Sequence, residues 1–225
     1  MVSPALPSND LITGMKLTLE EFLRRWEAIP ELKKAELIDG VVYVPSPVYD
    51  PHSTVHFAMT TWLGFYLDAT PGCKGGSEGT WIMGPRDVPQ PDLTLSLLPE
   101  CGGQSRIEGH FSAGAPELIV EVTGSSHSRD LGVKLELYRT VGVREYLTVL
   151  LNPRQVIWRQ LVRGRYREIK PDEDCLLRSV VFPGLWLDPA VLWNPKRSVR
   201  TAVDKGTESP AHAAFVKRLA THRRK

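Results

Sequence analysis

Cysteine is scarce in this 225-residue chain, and its spacing excludes two kinds of stabilised fold. The cysteines are Cys73, Cys101 and Cys175, which are odd in number, widely separated and never arranged as C-x-x-C. A disulfide framework or a cysteine zinc site needs paired cysteines at short spacings. We therefore expect free thiols.

Long apolar runs are also missing. No stretch approaches the roughly 20 apolar residues that a membrane-spanning helix needs. The first ten residues are polar and contain proline, unlike a signal peptide. We expect a cytoplasmic protein that does not associate with membranes. With 42% hydrophobic residues, the chain is long enough to bury one good-sized core.

The motifs of some common enzyme classes are absent. Gly75-Gly76 and Gly102-Gly103 lack the lysine and the strand-helix context of a phosphate-binding loop, so they predict turns. His52 and His56 have the spacing of two metal ligands on a helix, but the glutamate of a zinc protease is not between them.

Charge is unevenly distributed. Residues 194–225 contain nine Lys/Arg against two acidic residues, a net charge of +7, which leaves −5 on residues 1–193. A basic C-terminal tail of this kind can contact phosphates through charge alone. The alternative, which we favour, is a solvated and partly disordered extension.

Apolar periodicity and turn residues predict a mixed order of helices and strands. The predicted helices cover 18–28, 52–68 and 128–141, and a hairpin turns at Asp39-Gly40 between strands at 35–38 and 41–44. Further strands are predicted at 80–83, 92–98, 117–123, 145–151, 155–162, 166–169 and 176–182. The long connection 99–116 is expected to be a lid or a partner-binding segment.

Two carboxylates stand where a solvated side chain is not expected. Asp92 opens the apolar run Leu93–Leu98, and Glu121 interrupts the run Leu118–Val122. A buried carboxylate is normally paired, hydrogen-bonded or bound to a metal because its desolvation is costly. A divalent cation shared by the two side chains is the most specific explanation.

A lysine follows the second carboxylate on the next helix. Leu131, Lys134, Leu135 and Tyr138 have helical spacing, so Lys134 lies on the stripe that faces the core. It then either pairs with Asp130 one turn away, extends its ammonium to water, or approaches the two carboxylates. The short connection from the strand of Glu121 favours the last possibility.

Together these segments resemble a known family. The segments are Glu36-Leu37-Ile38-Asp39-Gly40, His52, Pro91-Asp92, Val120-Glu121-Val122, Asp130 with Lys134 and Tyr138, and Gly142-Val143-Arg144-Glu145-Tyr146. In order and spacing they are similar to the Uma-type putative restriction endonucleases of the PD-(D/E)XK nuclease superfamily. The resemblance covers residues 17–193, which leaves 1–16 as a flexible N-terminus and 194–225 as the basic tail.

The resemblance implies a fold and a set of site residues. The fold is an α/β fold of the α+β type, in which helices flank a mixed central sheet, with an extra N-terminal hairpin and C-terminal strands. Asp92, Glu121 and the backbone carbonyl of Val122 are the implied ligands of Mg²⁺, for which Mn²⁺ can substitute. The usual superfamily lysine would stand at Thr123, and the Uma-type branch instead takes it from the next helix, where Lys134 stands. Asp92, Glu121 and Lys134 are therefore the expected catalytic residues, and Lys134 is expected to orient the attacking water or to stabilise charge on the phosphate.

Two additional residues match positions near such a centre. Glu36 corresponds to an upstream acidic residue that reaches the metal, although a solvent-exposed hairpin glutamate is an almost equal alternative. His52 either approaches the active site or hydrogen-bonds at the helix start, and we favour the structural role.

The implied function is metal-dependent hydrolysis of phosphodiester bonds in nucleic acid, with DNA as the expected substrate and a homodimer as the expected assembly. The main alternative is an inactive nuclease fold that only binds nucleic acid or a protein partner. A third possibility is a dimeric scaffold formed through the strands between residues 166 and 182.

Overall fold

The computed structural model describes residues 9–45, 47, 49–124 and 128–222 as a mixed α/β fold. Within these ranges the helices are α1 (Leu19–Glu27), α2 (Asp50–Ala69), α3 (Lys134–Val141), α4 (Val199–Thr207) and α5 (Pro210–His222). The strands are β1 (Glu36–Ile38), β2 (Val41–Tyr43), β3 (Cys73–Ser77), β4 (Trp81–Ile82), β5 (Leu93–Leu97), β6 (Arg106–Glu108), β7 (Phe111–Ala113), β8 (Leu118–Thr123), β9 (Glu145–Leu150), β10 (Gln155–Val162), β11 (Arg165–Glu168), β12 (Leu177–Arg178) and β13 (Trp186–Leu187). The predicted fold class is confirmed.

A six-stranded mixed sheet forms the centre of the molecule, in the order β11-β10-β9-β8-β5-β3. Only the β8–β9 pair in this sheet is parallel, and the other neighbours run antiparallel. Helix α2 packs against one face through Met59, Trp62 and Tyr66. The other face packs against Tyr138 of α3. Strands β5, β8 and β9 are therefore buried throughout.

The N-terminal elements pack around a small core of their own. Thr18 caps α1 by accepting a hydrogen bond from the N–H of Glu21, as the sequence predicted. Asp39 and Gly40 both have positive φ, which suits the two-residue turn between β1 and β2. We call the buried apolar residues here the N-terminal cluster, which consists of Leu11, Phe22, Ala35, Leu37, Val42 and Val88.

The Gly75-Gly76 pair lies in a strand, not in the predicted turn. These residues belong to β3, where Gly75 pairs with Leu95 at the edge of the central sheet. A Cβ added to Gly75 would lie 2.5 Å from Cδ1 of Leu67, so the absence of a side chain allows α2 to pack closely.

The connection 99–116, predicted to be a lid or a partner-binding segment, has secondary structure of its own. It contains a short 3₁₀ turn at Pro99–Cys101 and the strands β6 and β7. Strand β7 pairs with both β4 and β6 in a separate three-stranded sheet. Glu117, which is buried, accepts hydrogen bonds from the N–H groups of Leu97 and Gln104 and fixes the start of the segment.

Two other predicted elements differ in extent. The helix expected over 128–141 begins as a π-helical turn at Arg129–Val133 and becomes α-helical only at α3. The strand expected over 176–182 is the short β12, which pairs with β13.

The C-terminal region corrects the expectation of a solvated extension. Helices α4 and α5 cover residues 199–207 and 210–222, and Val203, Phe215 and Leu219 join the main core. The basic residues lie on the outer sides of these helices, so the charge pattern concealed a folded segment.

At the other end, residues 9–16 contact the hairpin. The N–H of Gly14 donates to the Val42 carbonyl at 2.9 Å, and Lys16 forms a bridge with Val41. The rest of the predicted flexible N-terminus, residues 1–8, lies outside the described residues.

Candidate active site

The two carboxylates singled out from the sequence lie next to each other in the sheet. Strands β5 and β8 are antiparallel with Leu93 opposite Val120, so Asp92 and Glu121 are the next pair in that register. The N–H of Asp92 lies 3.5 Å from Oε2 of Glu121, and the N–H of Val122 donates to Oδ2 of Asp92 at 2.8 Å. Both side chains are buried.

Lys134 reaches this pair from the helix after β8. Its Nζ lies 2.7 Å from Oε1 of Glu121, 2.8 Å from Oε1 of Glu36 and 3.9 Å from Oδ1 of Asp130. The i,i+4 pair with Asp130 therefore exists, but the shorter contacts go to carboxylates that are distant in sequence. Tyr138, one turn further along α3, also donates its hydroxyl to Oε1 of Glu121 at 2.8 Å.

Glu36 is buried in the site, not exposed on the hairpin. Besides the contact with Lys134, its Oε1 accepts a hydrogen bond from the N–H of Gln90 at 2.9 Å. Oε2 lies 4.0 Å from Nε of Arg129. The hairpin thus contributes a third buried carboxylate to the arrangement.

Asp92 has a different set of neighbours from Glu121. Nε2 of His52 lies 3.4 Å from Oδ2 of Asp92, so this histidine approaches the site, contrary to the structural role that we favoured. His56 contacts the backbone carbonyl of Asp92 at 3.2 Å.

Sequence reasoning missed Lys34, which stands just before β1. Its ammonium lies 3.3 Å from Oδ1 of Asp92 and 3.7 Å from Oε1 of Glu78. Lys34 belongs to no apolar periodic pattern, and its partner is 58 positions away in the chain. The one indication in the sequence that Lys34 lies near the site was its position two residues before Glu36.

The pKa values of Glu121 and Asp92 are shifted in opposite directions. Burial raises the pKa of Glu121 to about 8, a shift that Lys134 opposes and Asp92 reinforces. Burial alone would also raise the pKa of Asp92, but the hydrogen bond from His52 and the charge of Lys34 outweigh it and hold that pKa below its ordinary value. In return, Asp92 raises the pKa of His52.

The site opens into a cleft of about 970 Å³. Arg129 lines this cleft, and its guanidinium lies 5.6 Å from the centre of the Tyr43 ring. Lys34 and His52 line it as well, together with the three carboxylates of Glu36, Asp92 and Glu121. The cleft therefore brings cationic groups and carboxylates to one accessible surface.

The donor set fits a divalent cation. The carboxylates of Glu36, Asp92 and Glu121 all line the cleft, and a bound cation would favour the ionised form of Glu121, whose pKa is raised mainly by burial. Oxygen ligands from carboxylates are those that Mg²⁺ prefers. A second group, formed by His56, Glu78 and Asp92, has ligand atoms within 4.8 Å of one another and shares Asp92 with the first.

The chain is similar to known proteins in sequence and in fold. No match was found among curated proteins. Of the solved structures, a putative nuclease belonging to DUF820 from Anabaena variabilis has a similar fold, with a TM-score of 0.59 at 15% identity over 84% of this chain and 98% of that chain.

Within the described residues, no helix is both long and apolar enough to span a bilayer.

A family model, Uma2, described as putative restriction endonuclease, matches residues 19–190. That range contains Glu36, Asp92, Glu121 and Lys134, and it extends over most of the central sheet. The chain therefore belongs to the Uma2 family of putative restriction endonucleases.

Proposed function

We propose that this protein is a divalent-metal-dependent endonuclease that hydrolyses phosphodiester bonds in nucleic acid, with DNA as the substrate. The observation that carries the proposal is the placement of Asp92 and Glu121 side by side on β5 and β8, at the base of an open cleft. Membership of the Uma2 family supports the same reaction class.

Asp92, Glu121 and the backbone carbonyl of Val122 are the proposed ligands of Mg²⁺, with Mn²⁺ as a substitute. A bound Mg²⁺ supplies Lewis acidity toward the phosphodiester and lowers the pKa of a coordinated water. Oε1 of Glu121 is held by Lys134 and Tyr138, which leaves Oε2 as its ligand atom. On the other side, the N–H of Val122 fixes the orientation of the Asp92 carboxylate.

Lys134 and Glu36 act as a positioning pair in this scheme. The ammonium of Lys134 is shared between Glu36 and Glu121, so it orients Glu121 and favours its ionised form. His52 positions Asp92 in the same way, with its Nε2 at 3.4 Å from Oδ2 of that carboxylate. These contacts preorganise the carboxylates before substrate enters the cleft.

The reaction itself is a hydrolysis in which atoms and charge balance. A water oxygen forms a bond to phosphorus as the bond from phosphorus to the leaving oxygen breaks. The attacking water loses one proton, and the leaving oxygen gains one. The cationic side chains Lys34 and Arg129 line the cleft where the negative charge of the phosphate must be accommodated. A nucleic-acid substrate also agrees with the predicted cytoplasmic location.

A cleavage assay tests this proposal. Purified protein is incubated with plasmid DNA, single-stranded DNA and RNA in Mg²⁺, Mn²⁺ or EDTA. We expect cleavage of DNA with either metal and none in EDTA. Asp92→Asn and Glu121→Gln should each abolish cleavage, because each removes a proposed ligand charge. Asp204→Asn, which alters an exposed carboxylate on α4, is the matched control and should cleave like the wild type.

The inactive alternative makes a different prediction. A nuclease fold that only binds nucleic acid or a protein partner would show no metal-dependent cleavage of any of the three substrates. Calorimetric titration of Mn²⁺ separates the cases further, since the proposal requires binding by the wild type and its loss in Asp92→Asn. Cleavage by Asp92→Asn and Glu121→Gln at the wild-type rate would rule out the proposed site.

We also propose that the protein acts as a homodimer. Strand β11 forms one edge of the central sheet, and it lies in the region between residues 166 and 182 that the sequence marked for association. Light scattering coupled to size exclusion should give twice the chain mass of 25.2 kDa. A mass of one chain at micromolar concentration would contradict this assembly.

A further inference from the structure

Two lysines approach the candidate metal site, and they differ in accessibility. Both line the cleft, but the side chain of Lys134 is 3% exposed and that of Lys34 is 25% exposed. Lys134 belongs to α3. Lys34 belongs to the segment that precedes β1.

The ammonium of Lys134 is held by two short contacts. Its Nζ lies 2.7 Å from Oε1 of Glu121 and 2.8 Å from Oε1 of Glu36, whereas Asp130 is further away at 3.9 Å. To reach a phosphate in the cleft, Lys134 would have to leave buried carboxylates without a partner, which is costly. It is therefore suited to positioning Glu121 and not to contacting the substrate.

Lys34 has the freedom that Lys134 lacks. Its carboxylate contacts are long, at 3.3 Å to Asp92 and 3.7 Å to Glu78, and the latter side chain is half exposed. The backbone beside it is fixed, since Ala35 is buried and its N–H donates to Oε1 of Gln90 at 3.2 Å. Motion is thus confined to a flexible four-carbon stem that ends at the metal-site carboxylate.

We propose that Lys34 is the lysine that contacts the substrate phosphate, and that without substrate its ammonium occupies a cation position beside Asp92. This inference rests on the proposed nuclease function and assigns a catalytic residue to it. The Lys34 ammonium would be repelled by a divalent cation at Asp92, because the charges have the same sign. It would then be free to turn toward the phosphate oxygens, where negative charge increases in the transition state.

The test compares Lys34→Met with the matched control Lys33→Met. Lys33 is the exposed neighbour, and its ammonium contacts only the carbonyl of Pro30 among the contacts described. Calorimetry with Mn²⁺ alone should show that Lys34→Met binds the metal about tenfold more tightly than the wild type, because a competing cation has been removed. Lys33→Met should bind Mn²⁺ like the wild type.

Cleavage should change in the opposite direction. In saturating Mn²⁺, kcat of Lys34→Met should fall about 100-fold, the usual effect of removing one transition-state donor. Binding of a DNA duplex in Ca²⁺ should weaken and lose part of its salt dependence. Lys34→Gln repeats every measurement with a polar side chain, and circular dichroism of both variants establishes that they are folded.

The outcomes separate this inference from the function on which it rests. If the wild type neither bound Mn²⁺ nor cleaved DNA, the proposed function and the role of Lys34 would both be overturned. If the wild type cleaved DNA and both Lys34 variants cleaved it at the same rate, only the role of Lys34 would be lost. Weaker Mn²⁺ binding by the variants would show that Lys34 supports the metal site and does not compete with the metal.

Discussion

The ammonium of Lys134 lies 2.7 Å from Oε1 of Glu121, and both side chains are almost completely buried. The pair connects the helix after β8 to the central strand that carries the candidate metal ligand. Because both groups are out of water, the contact affects the stability of the fold and the ionisation of the site at the same time.

Replacing Lys134 should destabilise the protein strongly. Lys134→Met leaves the ionised Glu36 buried without its cation and removes a hydrogen-bond donor to Glu121, and breaking a buried ion pair in this way costs about 3–5 kcal/mol. Urea unfolding at pH 7 measures the loss. The control is Arg139→Met on the same helix, whose ion pair with Glu136 is on the surface and should leave the midpoint unchanged. Equal stability of Lys134→Met and the wild type would contradict the pairing.

Metal binding should release a proton from Glu121. Its pKa of about 8 means that most of this carboxyl is protonated at pH 7 in the metal-free protein, whereas a ligand must be ionised. Calorimetry with Mn²⁺ in buffers of different ionisation enthalpy should show release of about one proton at pH 7 and much less at pH 9.5. Mn²⁺ affinity should accordingly rise with pH across this range. An absence of proton release at pH 7 would show that Glu121 is already ionised or does not bind the metal.

Removing the Tyr138 hydroxyl should weaken the site without opening the fold. Tyr138→Phe deletes the hydrogen bond to Glu121, and loss of one buried hydrogen bond costs about 1 kcal/mol. Glu121 then ionises less readily, so Mn²⁺ affinity at pH 7 should decrease. Tyr66→Phe is the matched control, since its hydroxyl donates to the Pro183 carbonyl. That control should leave Mn²⁺ binding unchanged; an equal loss in both variants would assign the effect to packing.

Helix α5 should prove essential for stability. Phe215→Ala removes a buried ring from the main core, and such a change costs about 3–5 kcal/mol. Phe57→Ala is the comparison, because that ring on α2 is 73% exposed and its loss should change stability by at most about 0.5 kcal/mol. Thermal unfolding of both variants distinguishes a packed helix from a peripheral one. Similar midpoints would mean that α5 does not contribute to the core.

Several features of the site were predictable because they follow from periodicity. Asp92 and Glu121 interrupt apolar strands, and Lys134 lies on a helical stripe, so each was marked by a polar residue in an apolar pattern. Lys34 carries no such mark, since the residues around it are polar and the contact with Asp92 depends on how the hairpin docks. Contacts between distant segments of this kind are not encoded in local spacing.

The missed elements have equally specific causes. Gly75 and Gly76 indicate a turn by composition, but they are needed in β3 because Leu67 and Thr94 approach too closely for a side chain. In the C-terminal region, net charge concealed the i,i+4 pair Phe215 and Leu219, which marks the buried stripe of α5. The basic residues of α5 lie on its exposed side, so the charge pattern gave no information about its buried side.

The N-terminal cluster affects how the candidate active site comes apart when the protein begins to unfold. Among the described residues, the hairpin that carries Glu36 forms a two-stranded sheet of its own with isolated bridges to Lys16 and Val88, and Leu37 and Val42 pack on a core separate from that of the central sheet. Units of this kind exchange their amide hydrogens through local opening at less than the global free energy of unfolding. An opening of this unit would withdraw Glu36 and Lys34 while β5 and β8 keep Asp92 and Glu121 in register. In mild denaturant, cleavage of DNA should therefore be lost before the far-ultraviolet dichroism of the sheet changes.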